Sequence, residues 1–71
     1  MNRLREIRKA EGMTQLKLSA LTGITQYELS RIENGWVFPW PGWRKRIAKA
    51  LNVAENEVFP EVVNEQRKDN A

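Results

Sequence analysis

The chain has 71 residues, enough for one small domain, and contains neither Cys nor His. That excludes disulfides, thiolate or imidazole metal sites and the commonest general acid–base, so neither an enzyme nor a metal or other cofactor is expected. The net charge of +3 is uneven: residues 1–53 carry ten Lys/Arg against four Glu, and residues 54–71 carry two against five acidic residues. No apolar run approaches the ~18 residues that span a bilayer, and MNRLREIRKAEG lacks the apolar stretch of a signal peptide. A cytoplasmic location without membrane contact is expected.

Asn2 is placed to cap a first helix running to about Ala10, with Leu4 and Ile7 inward. Arg3, Arg5, Arg8 and Lys9 give that helix a basic outer surface; Glu11-Gly12 ends it and Met13 turns in. Thr14 caps a second helix from Gln15, in which Leu18 and Leu21 fall at helical spacing. Lys17 stands where a capping box has Glu, and Leu16 is either exposed or a cover for Leu21. Thr22-Gly23-Ile24 breaks the helix, Gly23 supplying the left-handed backbone of a tight C-terminus. A third helix opens at Thr25, with Glu28 completing a capping-box signature, and runs to about Asn34-Gly35 with Leu29 and Ile32 inward. So short a turn predicts that helices two and three cross steeply.

The segment Trp36 to Trp43, WVFPWPGW, holds every Trp of the protein. Pro41 suits the first turn of a fourth helix reaching Leu51, on which Trp40, Trp43, Ile47 and Leu51 project as one stripe. A small core cannot easily house Trp36, Val37, Phe38, Trp40 and Trp43 together, so the segment either thickens the core or presents an aromatic patch to a partner. Arg44 lies at the edge of the apolar stripe and must snorkel or find a carboxylate. Asn52 tolerates the left-handed conformation that ends this helix. A last short helix, about Ala54 to Phe59, closes the core with Val58 and Phe59, although Ala54 is a poor cap. Beyond Pro60 the chain reads as a polar tail whose only apolar residues before the final Ala71 are Val62 and Val63, either a short strand pairing with a second copy or disordered.

Gln15, Leu18, Gly23, Ile24, Leu29, Ile32, Glu33, Asn34 and Gly35 carry a pattern that resembles the Cro/cI-type (XRE-family) helix-turn-helix of phage and bacterial regulators. The similarity extends from about Leu4 to Phe59; Ser19 departs from it, since that family usually has Ala there. The resemblance implies an all-α, compact five-helix lambda-repressor-like domain over residues 1–60, with the helix-turn-helix at helices 2 and 3 and a polar tail over 61–71. It implies that Arg8 pairs with Glu33 and lies near a phosphate, and that Gln15 reaches a phosphate oxygen from a helix N-terminus. Thr14, Lys17, Thr25 and Asn34 are further backbone contacts, although Thr25 also reads simply as the cap and Asn34 equally as a turn residue. By motif position the resemblance implies that Gln26, Tyr27 and Arg31 point to bases in the major groove, with phosphate as the other reading for Arg31 and for the Tyr27 hydroxyl.

The basic half of the chain coincides with this motif, as an electrostatic footprint for nucleic acid requires. The expected function is a sequence-specific regulator of transcription, a repressor binding double-stranded DNA as a homodimer on a palindromic operator. The alternative is a protein-interaction module or antitoxin-like partner, using Trp36, Phe38, Trp40 and Trp43 with Val62 and Val63 as its dimer or partner surface.

Overall fold

Helix ends in this chain are set by local chemistry. The structure, a computed structural model, describes residues 2–62, with α1 at Leu4–Ala10, α2 at Gln15–Thr22, α3 at Gln26–Glu33, α4 at Pro41–Leu51 and α5 at Glu55–Val58. A 3-10 turn at Pro60–Val62 follows, and no strand occurs among the described residues. The fold is therefore all-α, as expected.

Thr14 and Thr25 stand at the N-caps of α2 and α3, their hydroxyls accepting from the Lys17 and Glu28 amides at 3.0 and 3.2 Å. The capping box at Thr25 is only half built, because the Glu28 carboxylate lies 3.5 Å from Arg31 on its own helix. The opposite half appears at α5, where Ala54 has no oxygen to offer but its N–H donates to Glu57 Oε1 at 3.0 Å. Asn2 acts one residue further out than expected, since Arg3 holds the N-cap position. Its Oδ1 accepts from the Leu4 amide at 3.0 Å and its Nδ2 donates to the Ile32 carbonyl at 2.8 Å, tying α1 to α3.

Three helices close alike. Met13→Arg8 and Gly12→Lys9, Trp36→Arg31 and Gly35→Ile32, and Val53→Ala48 and Asn52→Lys49 are paired backbone bonds at the ends of α1, α3 and α4. These are Schellman closures, and each recovers carbonyls that a helix end leaves without partners. Asn52 takes the left-handed role at φ 59°, as its side chain allows.

The core draws Leu4 from α1, Leu18 from α2, Ile24 from the joint, Leu29 and Ile32 from α3, Ile47 and Leu51 from α4, and Val58 and Phe59 from the end of α5. Val62 belongs to it as well, which corrects its assignment to a tail and to a partner surface. The 3-10 turn, with the Val62 amide donating to the Phe59 carbonyl at 3.0 Å, rotates that side chain back onto the core. Val63 and residues 64–71 lie outside the described residues.

Leu21 is a second correction: it is 52% exposed, because the α2 face that packs inward carries Leu18 and Thr22. Trp40 is a third. As the N-cap of α4 it has extended backbone, so helical projection does not apply to it, and the buried stripe runs through Arg44, Ile47, Ala48 and Leu51. Trp43 is half-buried against the core. Arg44 does find a carboxylate: Nε donates to Glu55 Oε2 at 2.7 Å, Nη1 donates to the Pro39 carbonyl at 2.8 Å, and the guanidinium lies 5.1 Å from the Phe38 ring centroid.

Candidate nucleic-acid interface

The joint between α2 and α3 is stapled by one hydroxyl. Thr22 Oγ1 donates to the Leu18 carbonyl at 2.8 Å and accepts from the Ile24 amide at 3.2 Å, all within buried surroundings. Between them Gly23 adopts φ 77°, a region where a β-carbon clashes with the following carbonyl, and its N–H donates to Ser19 at 2.9 Å. Ile24 then drops into the core and Thr25 starts α3. Arg46 of α4 reaches the same place, its Nη1 lying 3.4 Å from the Thr22 carbonyl. Gly23 is legible from the sequence, whereas the role of Thr22 is visible only once both of its bonds are.

The far end of α3 is held by a buried carboxylate. Glu33 Oε2 accepts from Arg8 Nε at 2.7 Å, and Oε1 accepts from Arg8 Nη2, Arg5 Nε and Gln15 Nε2, each at 3.2 Å. Arg8 also donates Nη1 to the Met13 carbonyl at 2.9 Å. One side chain of α3 thus gathers α1, the α1–α2 loop and the start of α2. Burial pushes the Glu33 carboxyl up, but the hydrogen bonds from Arg8, Arg5 and Gln15 outweigh it and hold the group below the usual carboxylate range.

That network engages two of the expected backbone contacts. Arg8 is 8% exposed with its donors turned inward to Glu33 and the Met13 carbonyl, and the half-exposed cation beside it is Arg5. Gln15 spends its amide N–H on Glu33, which fixes its orientation at the mouth of α2. Asn34 is engaged too, donating to the Ser30 carbonyl at 2.8 Å and accepting from Arg5 Nη2 at 3.0 Å.

Between these two anchors the outward face of α3 is open. Leu29 and Ile32 bury one side of the helix, while Gln26 and Tyr27 are exposed, Tyr27 to 70%. The Arg31 guanidinium lies 5.5 Å from the Tyr27 ring centroid, a cation–π stack. Thr14 and Lys17 are exposed at the N-terminus of α2, as is Thr25 at that of α3. The structure therefore leaves Gln26 and Tyr27 exposed at the start of α3, with Arg31 half-exposed against the Tyr27 ring.

The aromatic segment lies largely in solvent. Trp36, Phe38 and Trp40 are 75%, 51% and 61% exposed. Trp40 stacks on Trp43 with ring centroids 4.6 Å apart, and Phe38 meets Phe59 edge-on at 5.9 Å.

Two short helices joined through a left-handed glycine, the second held at both ends and bare on one face, define a helix-turn-helix. The chain matches the family described as a helix-turn-helix domain over residues 1–62, and it belongs to that family, in its XRE type. It is similar to an uncharacterized HTH-type transcriptional regulator of Sinorhizobium fredii, with 37% identity over 65 residues, covering 86% of this chain and 33% of that protein. The chain thus spans a third of the length of that relative. Among the described residues no helix is long and apolar enough to cross a membrane.

Proposed function

We propose that this chain is a sequence-specific, double-stranded-DNA-binding regulator of transcription, acting as a repressor. One reading helix contacts too few base pairs for useful specificity, so two copies occupy a palindromic operator and occlude the promoter. The N-terminal part of α3 enters the major groove, where Gln26 bonds adenine N6/N7, the Tyr27 ring meets a thymine methyl and Arg31, one turn further along, bonds guanine O6/N7. Thr14, Gln15, Lys17, Thr25 and Asn34 hold the phosphates on either side. The observation that carries this reading is the exposure of Gln26 and Tyr27, with Arg31 half-exposed against the Tyr27 ring, on a helix whose other side is fixed in the core. Family membership and the printed name of the Sinorhizobium relative support it. Selection from random duplexes followed by gel shift tests it: one enriched, two-fold symmetric site is expected, and binding indifferent to sequence sinks it.

A second reading, a protein-interaction or antitoxin-like module, is favoured by the exposure of Trp36, Phe38 and Trp40. In the repressor reading the same patch joins the two copies. Sedimentation with and without Trp40→Ala separates them: dissociation of a dimer places the patch between copies, and an unchanged monomer leaves it for another protein.

A further inference from the structure

A groove between α2 and α4 is used by neither of these readings. It is lined by Leu21, Thr22, Arg46, Lys49 and Ala50, with Leu21 exposed in its wall. Among the described cations, Arg3, Arg5, Arg8, Arg31, Arg44 and Lys45 each lie against a carboxylate of this chain. Lys9, Lys17, Arg46 and Lys49 have no carboxylate partner among the described residues, and of these Arg46 and Lys49 stand one helical turn apart on α4, both at this groove. An apolar wall flanked by two uncompensated cations is complementary to an amphipathic helix with leucine-like anchors at i and i+4 and carboxylates beside them.

We propose that this groove docks an acidic amphipathic helix of a second, different protein. The chain itself offers no such face among its described residues. Glu6, Glu28, Glu33 and Glu55 are taken by Arg or Lys and Glu57 by the Ala54 amide, while Glu11 is the C-cap of α1 and Glu61 lies in the 3-10 turn, so neither stands on a helix face beside apolar anchors. A nucleic-acid backbone matches the two cations but gains nothing from Leu21 and Ala50, and a polyanion laid over an exposed leucine strips water from it without a fitting apolar partner. The groove is small against a standard interface, so the contact is a weak, exchanging one.

The test uses the full chain and a fluorescein-labelled helical peptide with Leu at i and i+4 and Glu on both flanks, followed by anisotropy. Saturable binding is expected, weakened about tenfold or more by the double substitution Arg46→Glu/Lys49→Glu and several-fold by Leu21→Gln. All three side chains are exposed, and because Arg46 also donates to the Thr22 carbonyl, circular dichroism of each variant checks that the fold is kept. Lys9→Glu, a charge reversal at an exposed cation of α1, should leave the peptide's affinity nearly unchanged, and a peptide with Gln in place of each Glu should not bind. Absence of binding, affinity indifferent to Leu21→Gln, or displacement of the peptide by a short DNA duplex overturns the proposal. A protein that selects an operator yet fails this test loses the groove and keeps the DNA reading; the reverse result does the opposite.

Discussion

Arg8 and Glu33 meet at 2.7 Å across 25 positions of chain, and both are buried. Their contact fixes the C-terminal end of the candidate reading helix against α1, so the face that α3 presents depends on a pair that faces away from it. Removing one partner strands the other. Breaking such a buried pair costs about 3–5 kcal/mol, against a total of roughly 4–10 kcal/mol for a domain of this length. Arg8→Ala is therefore expected to remove roughly a third or more of the protein's stability. Arg5→Ala removes a half-exposed cation from the same carboxylate and should cost ~1 kcal/mol or less. Urea midpoints of the two variants check the ranking; equal losses mean that Arg8 is not the principal partner.

Acid should act through the same residue. The Glu33 carboxyl lies below its ordinary value of 4.5 in the folded chain, so folded and unfolded states are both ionised above that pH and the stabilisation is complete. As pH falls below about 4.5 the unfolded state takes up the proton first, and stability drops until the folded group also protonates. Glu33→Gln abolishes this part of the acid limb and starts from a lower stability. Thermal unfolding of both proteins between pH 7 and 3 tests it, with a steeper decline in the parent expected. The Arg3–Glu6 pair also lowers its carboxyl through the Arg3 hydrogen bond, but on the open surface where solvent screens it, so a shallow slope survives in the variant.

Thr22 gives a prediction on the joint itself. Thr22→Val keeps the shape but leaves the buried Ile24 amide without an acceptor, which costs about 1–3 kcal/mol. Thr22→Ser keeps the hydroxyl and should recover most of that loss. If Val and Ser variants melt together, methyl packing and not the two hydrogen bonds holds the turn.

Much of this was legible in the sequence because the signals were local. Caps at Thr14 and Thr25, left-handed ends at Gly23, Gly35 and Asn52, and the spacing of Leu18, Leu29, Ile32, Ile47 and Leu51 each depend on a few neighbouring residues. The failures share a different cause. Spacing sets Leu21 with Leu18 and Trp40 on the α4 stripe, but spacing cannot decide that a threonine fills the buried position or that a cap residue has left the helix. Val62 was read as tail because one 3-10 turn after Pro60 has no periodicity to detect. The Arg8–Glu33 pair is no such failure: the family resemblance implies it, and the two side chains meet at 2.7 Å. Arg44 was visible only as a problem, and its solution lay in Glu55 and Pro39.

Gly23 allows a test of strain without crowding. A β-carbon added there meets nothing closer than Arg46 Nη1 at 3.9 Å, so Gly23→Ala should cost only the left-handed conformation, about 1–2 kcal/mol. Gly23→Asn should cost less, as Asn52 already shows that conformation in this chain. A larger loss for Asn than for Ala, measured by denaturant unfolding, means that side-chain contacts and not backbone strain limit the position.

The two proposed kinds of DNA contact differ in how they respond to salt and to sequence. Gln26→Ala or Arg31→Ala removes a base contact and should cost about 1–3 kcal/mol on the selected site while relaxing preference at one position. Neither should weaken binding to unrelated duplex by as much. Lys17→Ala removes a phosphate contact and should weaken every duplex alike, reducing the slope of log affinity against log salt by about 1. Tyr27→Ala adds a sharper case, because it also removes the ring against which Arg31 is held. If that stack orients Arg31, the double variant Tyr27→Ala/Arg31→Ala should lose less than the sum of the two single losses. Gel shifts at two or more salt concentrations, on selected and scrambled sites, supply every number needed. Additive losses for Tyr27 and Arg31 would mean that the two side chains read independently, and a salt slope unmoved by Lys17→Ala would take the N-terminus of α2 off the phosphate backbone.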